Sequence, residues 1–305
     1  MKVLKKMKVN TVQPESRGWI ILCILYSIFL WSCAVAPTKK LLIKDTAQSF
    51  EEGTIISTKV HRTITFEELL SELDCCGIIY VGEDHTNYDH HKIQLEIIQA
   101  IFKKHPNMAV GMEMFARSDQ NVLDLWSAGK LDQKEFLRKT HWYANWRYHF
   151  SLYQGILDFI KETHLRFVGL NIPFDIPAKI RVGGIENLSD CEKRYLPAEI
   201  DTSNTAHRDY LRNVFTQHHF KGEVEFEDFY MAQSVWEDAM AEAIGQNLKD
   251  NVMVVLTGNG HIQFNYGIPD RAFQRTGVSF RTIYLAPAGD EVALDVADYI
   301  WVSAP

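Results

Sequence analysis

The sequence predicts an α/β fold: a mostly parallel central sheet covered by helices on both faces, with a helical insertion. Three observations predict it. Five short apolar runs, GIIYVG (77–82), MAVGME (108–113), LRFVGLN (165–171), NVMVVLTG (251–258) and FRTIYL (280–285), are rich in β-branched residues and fenced by turn or polar residues. The runs are near-continuously apolar, as strands buried on both faces are. Helical patterns separate them, as expected of parallel strands joined by crossovers.

In chain order, residues 1–33 read as an export segment. Lys2, Lys5, Lys6, Lys8 and Arg17 precede an uncharged run of 14 residues at 18–31, which ends at Ser32-Cys33. A bilayer span needs about 20 apolar residues, so this arrangement describes a secretory signal. Leu30-Trp31-Ser32-Cys33 resembles the bacterial lipobox, in which the cysteine is lipidated, although Trp31 is bulky for that motif. The alternative is an uncleaved membrane anchor. Either way the remainder is expected in the bacterial cell envelope, tethered to a membrane, with the outer membrane preferred to the inner.

The segment's five basic residues and one acid, Glu15, give it +4, so the whole-chain −7 leaves −11 on the rest. Phosphate contacts need a basic footprint, which argues against a nucleic-acid partner. Removing 32 residues leaves 273, enough for one large domain with a substantial core. Cys23 and Cys33 belong to the export segment; Cys75, Cys76 and Cys191 remain, with no CxxC pair. One disulfide is compatible with that set, but a framework of bridges or a thiolate zinc site is not.

Residues 34–60 read as a tether with a short strand or two, and 61–305 as a single domain. TFEELLSEL (65–73) reads as a helix with a capping box, Thr65 with Glu68. Further helices are expected at about 90–104 and 153–162. The longest lies at 225–248, where Phe226, Phe229, Tyr230, Trp236, Met240, Ile244 and Leu248 recur at core-facing spacing. Residues 173–224, with two early prolines and Gly183-Gly184, read as the helical insertion or lid.

Ligands of open parallel sheets bind beyond the carboxyl ends of the strands. Here four predicted strands end in reactive residues: Glu83 and His85, then Glu113, then Asn171, then Asn259 and His261. Taken singly, a histidine after a strand is more often a hydrogen-bonded structural residue; four such ends together point to a site. Two carboxylates and two imidazoles suit a divalent metal, or equally general acid and base work on an ester or amide. No GxSxG, P-loop, GxGxxG or HExxH is present, which lowers the case for serine hydrolase, nucleotide or zincin chemistry. His90 and His91 open a helix, so their side chains diverge by roughly 100° and at most one faces the pocket.

THWYANWRYHFSLY (140–153) gathers Trp142, Tyr143, Trp146, Tyr148, Phe150 and Tyr153 with His141, Arg147 and His149. It reads either as a helix edge in the core or as a flat apolar wall for a planar ligand with carboxylates. A haem needs such a wall, basic groups and an axial side chain; Tyr266 is a further axial oxygen.

Several blocks together resemble one family. They are GEDH, the Asp89-His90-His91 helix start, GMEMFARSDQ, the spacing of Trp142, Trp146, Tyr148 and Tyr153, LNIP, the AQxxW helix, TGNGHI with YGIPDR, and ADYIWV. They are similar, in one collinear order over roughly 60–302, to ChaN-like haem-binding uptake lipoproteins. That family lies in a superfamily with Tiki-type and erythromycin-esterase-like proteins. The resemblance implies an α/β domain that binds haem in a homodimer with tyrosine ligation and serves iron acquisition. On local chemistry Tyr148 and Tyr266 rank ahead of Tyr153 as axial ligand, and Arg147 or Arg271 would meet propionates. The family more often has Asp before Glu where this chain has Glu237-Asp238, so the role of Asp238 is open.

The leading expectation is a membrane-tethered haem-binding protein, not an enzyme in its main role. The second is a metal-dependent or acid/base hydrolase using Glu83, His85, Glu113 and His261. The third is an envelope interaction protein whose polar cleft is vestigial.

Overall fold

The computed structural model describes residues 39–217, 224–249 and 251–305. The export segment with Cys33, residues 34–38 of the expected tether and part of the insertion lie outside the described residues. Three short strands open the described chain: β1 (Leu41–Ile43), β2 (Ser49–Phe50) and β3 (Ile55–Ser57), followed by β4 (Arg62–Ile64). The boundary expected at 61 is therefore corrected: the compact unit begins at Lys39. Leu41, Ile43, Ile55 and Ile56 are buried, and an apolar stretch so placed is part of the core, not a tether.

Next come α1 (Phe66–Leu73), β5 (Ile78–Val81), α2 (Tyr88–Lys104), β6 (Ala109–Ala116), α3 (Gln120–Ser127) and α4 (Gln133–Lys139). The capping box of α1 forms as expected, with Thr65 accepting from the Glu68 amide and Glu68 accepting from the Thr65 amide. The aromatic segment folds as a single turn, α5 (Trp142–Asn145), before α6 (Gln154–Thr163) and β7 (Arg166–Asn171). The insertion is helical: α7 (Asp175–Gly183), α8 (Asp190–Lys193) and α9 (Thr205–Gln217). The chain finishes with α10 (Phe226–Asn247), β8 (Met253–Leu256), α11 (Ile268–Thr276), β9 (Phe280–Pro287), β10 (Glu291–Val292) and β11 (Tyr299–Ser303).

The main sheet runs β4-β3-β11-β9-β5-β8-β6-β7. From β11 to β7 every pairing is parallel, while β3 and β4 add antiparallel at the edge. A three-stranded sheet, β10-β1-β2, accompanies it. Alternate residues of each central strand enter different cores. Ile79, Val81, Val110 and Leu256 pack with Ile97 of α2, Trp126 of α3 and Ile156 of α6. Ile78, Tyr80 and Val255 pack with Met240 and Ile244 of α10 and Ala272 of α11. Burial on both faces explains the uninterrupted apolar runs, each large side chain contributing about 1.5–3 kcal/mol. Among the described residues no helix is long and apolar enough to cross a membrane.

Because β5, β8, β6 and β7 are parallel neighbours, their carboxyl ends share one edge. That edge carries the site.

Candidate haem-binding site

Glu83, His85, Glu113 and His261 come together as the strand ends imply, in two linked halves. In the first, Glu83 is 2 % exposed and every approach to it is occupied. Its Oε1 accepts from the Tyr153 hydroxyl at 2.6 Å and lies 2.8 Å from His85 Nδ1; its Oε2 accepts from Gln94 Nε2 at 2.9 Å, with His91 Nδ1 at 3.4 Å. Burial alone would raise this carboxyl, but the hydrogen bonds and charges of His85 and His91 outweigh it and hold it well below the usual carboxylate range. Burial works to lower His85, and the Glu83 bond and Glu113 charge turn the balance upward.

Both adjacent histidines of α2 are buried, but only His91 reaches the cluster. His90 accepts from the Asp84 amide at 2.8 Å and meets Ser303 Oγ at 2.9 Å. Burial pushes it down to about 4, so it is a neutral structural group.

In the second half, Glu113 Oε2 accepts from the Thr257 hydroxyl and the Gly258 amide, both at 2.7 Å, and its Oε1 faces His261 Nε2 at 3.4 Å. A Cβ on Gly258 would stand 3.0 Å from His85 Cε1; glycine there lets the two halves approach. The other His261 nitrogen lies 3.3 Å from Glu237 Oε1. Glu237 Oε2 has no hydrogen bond among the described residues and lies 3.4 Å from both His207 Nε2 and Arg271 Nε. Burial would lower His261, yet the Glu113 and Glu237 carboxylates raise it to about 10. Burial would raise both carboxyls; His261 for Glu113, and His207, His261 and Arg271 for Glu237, hold each at about 2.

Sequence reasoning missed Glu237, His207 and Gln94, and left open which of His90 and His91 turns inward. Their helices are buried on more than one side, so no single apolar stripe marks the inward positions. The open question about Asp238 resolves: it pairs with Arg271 and Arg275 and accepts from the Asp201 amide at 2.8 Å. Asn171 is corrected from pocket to backbone clip, because its amide donates to the Glu113 carbonyl and its oxygen accepts from the Ile172 amide, both at 2.9 Å. Asn259 likewise donates to the Leu285 carbonyl at 2.9 Å.

The aromatic segment lies over the first half. His85 is 4.7 Å from Trp146 and 5.1 Å from Tyr148 between ring centroids. Tyr148 opens onto a cleft of about 450 Å³ lined also by Phe174, Trp236, Gln233, Arg147 and Arg181. The far wall connects to the second half, since Trp236 packs 5.1 Å from the His261 ring. Tyr148 is half-buried, and its hydroxyl has no hydrogen bond among the described residues. The Tyr148 amide donates to the Trp146 carbonyl at 2.8 Å, closing a three-residue turn around Arg147, whose φ is 66°. A left-handed arginine is strained by roughly 1–3 kcal/mol, the kind of conformation that clusters at functional positions.

The other expected groups are placed differently. Tyr153 is fully buried and its hydroxyl is committed to Glu83, so it is corrected from axial ligand to network donor. Arg271 is 2 % exposed and held by Asp238, Glu237 and the Asp201 carbonyl, which leaves it no face for a propionate. Tyr266 is half-buried among His207, Tyr210 and Phe264, apart from the residues that line the Tyr148 cleft. The divalent-metal site that the residue types allowed is not formed: among the described residues no group of three or more His, Cys, Asp or Glu side chains converges to hold an ion. Both Glu83 oxygens and Glu113 Oε2 are turned to protein donors instead.

The model of the family described as "Haem-binding uptake, Tiki superfamily, ChaN" matches residues 69–272. The chain belongs to that family. Membership supports a haem-binding role and carries the expected resemblance through. A solved structure titled as cofacial heme binding to ChaN of Campylobacter jejuni is 20 % identical, with a TM-score of 0.66 over 81 % of this chain and 95 % of that one. It shares the fold. An erythromycin esterase mutant, EreC in its open conformation, is 14 % identical over 77 % of this chain and 76 % of its own, with a TM-score of 0.44, too slight a likeness to bear on function. No curated protein matches the sequence.

The cleft of this ChaN-family chain fits a haem in chemical terms. Tyr148 offers a phenol that no protein group occupies, and Arg147 and Arg181 offer cations for carboxylates. Phe174 and Trp236 supply apolar walls, and the Trp236 indole N–H is buried without a hydrogen-bond partner.

Proposed function

We propose that the protein is an envelope haem-binding component of haem or iron acquisition, with Tyr148 as the axial residue. The observation that carries this reading is Tyr148: the one ranked tyrosine that lines the aromatic, arginine-flanked cleft while its hydroxyl remains unpaired. A ferric haem bound there supplies an iron that takes an anionic oxygen ligand. The strained turn at Arg147 fixes the direction of the Tyr148 ring, and the Trp146–His85 packing holds it from behind. Arg147 and Arg181 would meet the propionate charge, and Trp236 with Phe174 would shield the ring from water.

Tethering rests on the basic-apolar leader and Leu30-Trp31-Ser32-Cys33, lipidated at Cys33, with the outer membrane preferred. Pairing of two copies rests on the cofacial heme binding described for ChaN of Campylobacter jejuni. In this chain the exposed Tyr143 and Val182 stand on helices beside the cleft residues Asn145 and Arg181.

The test is titration of purified protein with hemin. Wild type gives a saturable visible spectrum of tyrosine-ligated ferric haem; Tyr148→Phe loses it and Tyr266→Phe keeps it. A spectrum unchanged by Tyr148→Phe overturns the ligand assignment, and its loss in Tyr266→Phe alone transfers the role to Tyr266. Cys33→Ala should move the protein from the membrane fraction to the soluble one.

A further inference from the structure

The adjacent cysteines Cys75 and Cys76 lie at the opposite end of the sheet from the cleft, between the end of α1 and the start of β5. Consecutive side chains ordinarily diverge, by roughly 100° on a helix and to opposite faces on a strand. These two converge. Their Sγ atoms are 3.7 Å apart, and both thiols point at the Glu72 carbonyl, at 3.3 Å and 3.8 Å.

The backbone that presents them is pinned on both sides. The Cys76 amide donates to the Leu73 carbonyl at 3.0 Å, and the Cys75 carbonyl accepts from Ser279 Oγ at 3.1 Å. The Gly77 amide donates to the Ser279 carbonyl at 3.0 Å, and a Cβ at Gly77 would collide with Val278 Cγ1 at 2.3 Å. Cys75 is exposed and Cys76 is 3 % exposed, so one sulfur faces entry and the other forms the floor.

Two outcomes are open to such a pair, and geometry separates them. A disulfide prefers Cα atoms about 4.4–6.8 Å apart, whereas consecutive residues are held at about 3.8 Å, so direct closure is strained and easily reduced. Two thiolates sharing one metal with bonds of about 2.3 Å sit about 4.6 Å apart if the ion is linear and about 4.0 Å apart if it is trigonal. The 3.7 Å found suits a three-coordinate ion that takes its third ligand from solvent or a small thiol. The geometry points to Cys75 and Cys76 as a chelating dithiol for a soft, thiophilic monovalent cation of the Cu(I) type.

Binding breaks two S–H bonds and forms two metal–sulfur bonds. Two protons go to solvent, and no electron is transferred. The resulting charge of −1 is favoured by the nearby Arg281 guanidinium and opposed by the Asp298 carboxylate. Burial pushes the Cys76 thiol up to about 12, so the metal displaces its proton instead of finding a thiolate ready. Soft thiolate ligands select Cu(I) over hard ions. This site is independent of the haem reading.

The experiment is anaerobic titration of the reduced full-length protein with Cu(I) against the chromophoric chelator bicinchoninate. Wild type, Cys191→Ser and Cys33→Ser each withdraw one equivalent; Cys75→Ser and Cys76→Ala withdraw it at least about tenfold more weakly. Cys75→Ser alters an exposed side chain and leaves the fold intact, so a loss there is not unfolding. Phenylarsine oxide should form an adduct that resists excess monothiol in wild type and washes out of Cys75→Ser. Withdrawal unchanged in Cys75→Ser, withdrawal abolished by Cys191→Ser or Cys33→Ser, or an adduct that washes out of wild type each overturns the site. Hemin titration unchanged by Cys75→Ser keeps its fate separate from that of the cleft.

Discussion

Glu83 and Glu237 are both buried carboxylates beside histidines at one edge of one sheet, yet they are neutralised in different ways. Glu83 is held by a tyrosine hydroxyl and a glutamine amide together with His85 and His91. Glu237 also accepts from a glutamine amide, Gln233 Nε2 at 2.8 Å, but it has Arg271 with His207 and His261 where Glu83 has a tyrosine, and its other oxygen lacks any hydrogen bond among the described residues. A directed neutral donor keeps its bond whatever the pH, although at Glu83 it is His85 and His91 that hold the carboxyl ionised. Ion pairs in a dry interior repay desolvation only while every partner keeps its charge. Both halves thus combine a glutamine donor with histidine pairs; the first adds a neutral tyrosine beneath Tyr148, and the second adds a guanidinium and ties α9, α10 and α11 to the sheet.

The largest effect that would break this comparison is Glu237→Gln. It takes from Arg271 and His261 one of two countercharges each, leaving Asp238 and Glu113, and we expect a loss of about 3 kcal/mol in urea unfolding, the low end for a broken buried pair. A loss under about 1 kcal/mol would mean that the second half is as directional as the first.

Next is pH. His261 is raised to about 10 from 6.5, so its contribution is complete below about pH 6.5 and lost as pH rises through about 10. Glu113 and Glu237 are lowered to about 2 from 4.5, so theirs is complete above about pH 4.5 and lost as pH falls toward 2. Stability measured against pH should fall at both ends, and His261→Gln should remove the alkaline fall. An alkaline limb that survives in His261→Gln assigns it elsewhere.

Tyr153→Phe tests the first half, removing one donor to a buried carboxylate, and should cost about 1.5–3 kcal/mol in the same assay. Its hemin spectrum should stay that of wild type, in contrast to Tyr148→Phe. The smallest effect is Arg147→Gly. Glycine accepts a φ of 66° without strain, so thermal unfolding should show unchanged or higher stability, by about 0.5–1 kcal/mol, while hemin binds more weakly. Lower stability with normal hemin binding would deny the turn its role.

The two tyrosines of one motif show where legibility ends. Tyr148 and Tyr153 share a block, and spacing alone makes both candidates. Three-dimensional packing sends one hydroxyl to Glu83 and leaves the other unpaired. Arg271 was legible as a cation but not as one already claimed by Asp238 from α10. Glu237 was hidden because α10 is packed against α7, α9, α11 and β7, so polar and apolar positions alike turn inward and periodicity loses its meaning. The strands at 41–64 were nearly silent for another reason. Runs of two or three residues carry no periodic signal and form only because β1 meets β10 and β3 meets β11, more than 240 residues away.

By itself the sequence determined five of the six parallel core strands, the helices between them and the carboxyl edge where Glu83, His85, Glu113 and His261 would meet. Local apolar runs and parallel connection rules suffice for that, since both act within a few tens of residues. Only tertiary structure decided which of these groups face a ligand and which are spent on one another. Hydrogen-bond satisfaction in a buried cluster depends on partners from distant helices, and no local pattern encodes which donor reaches which oxygen first.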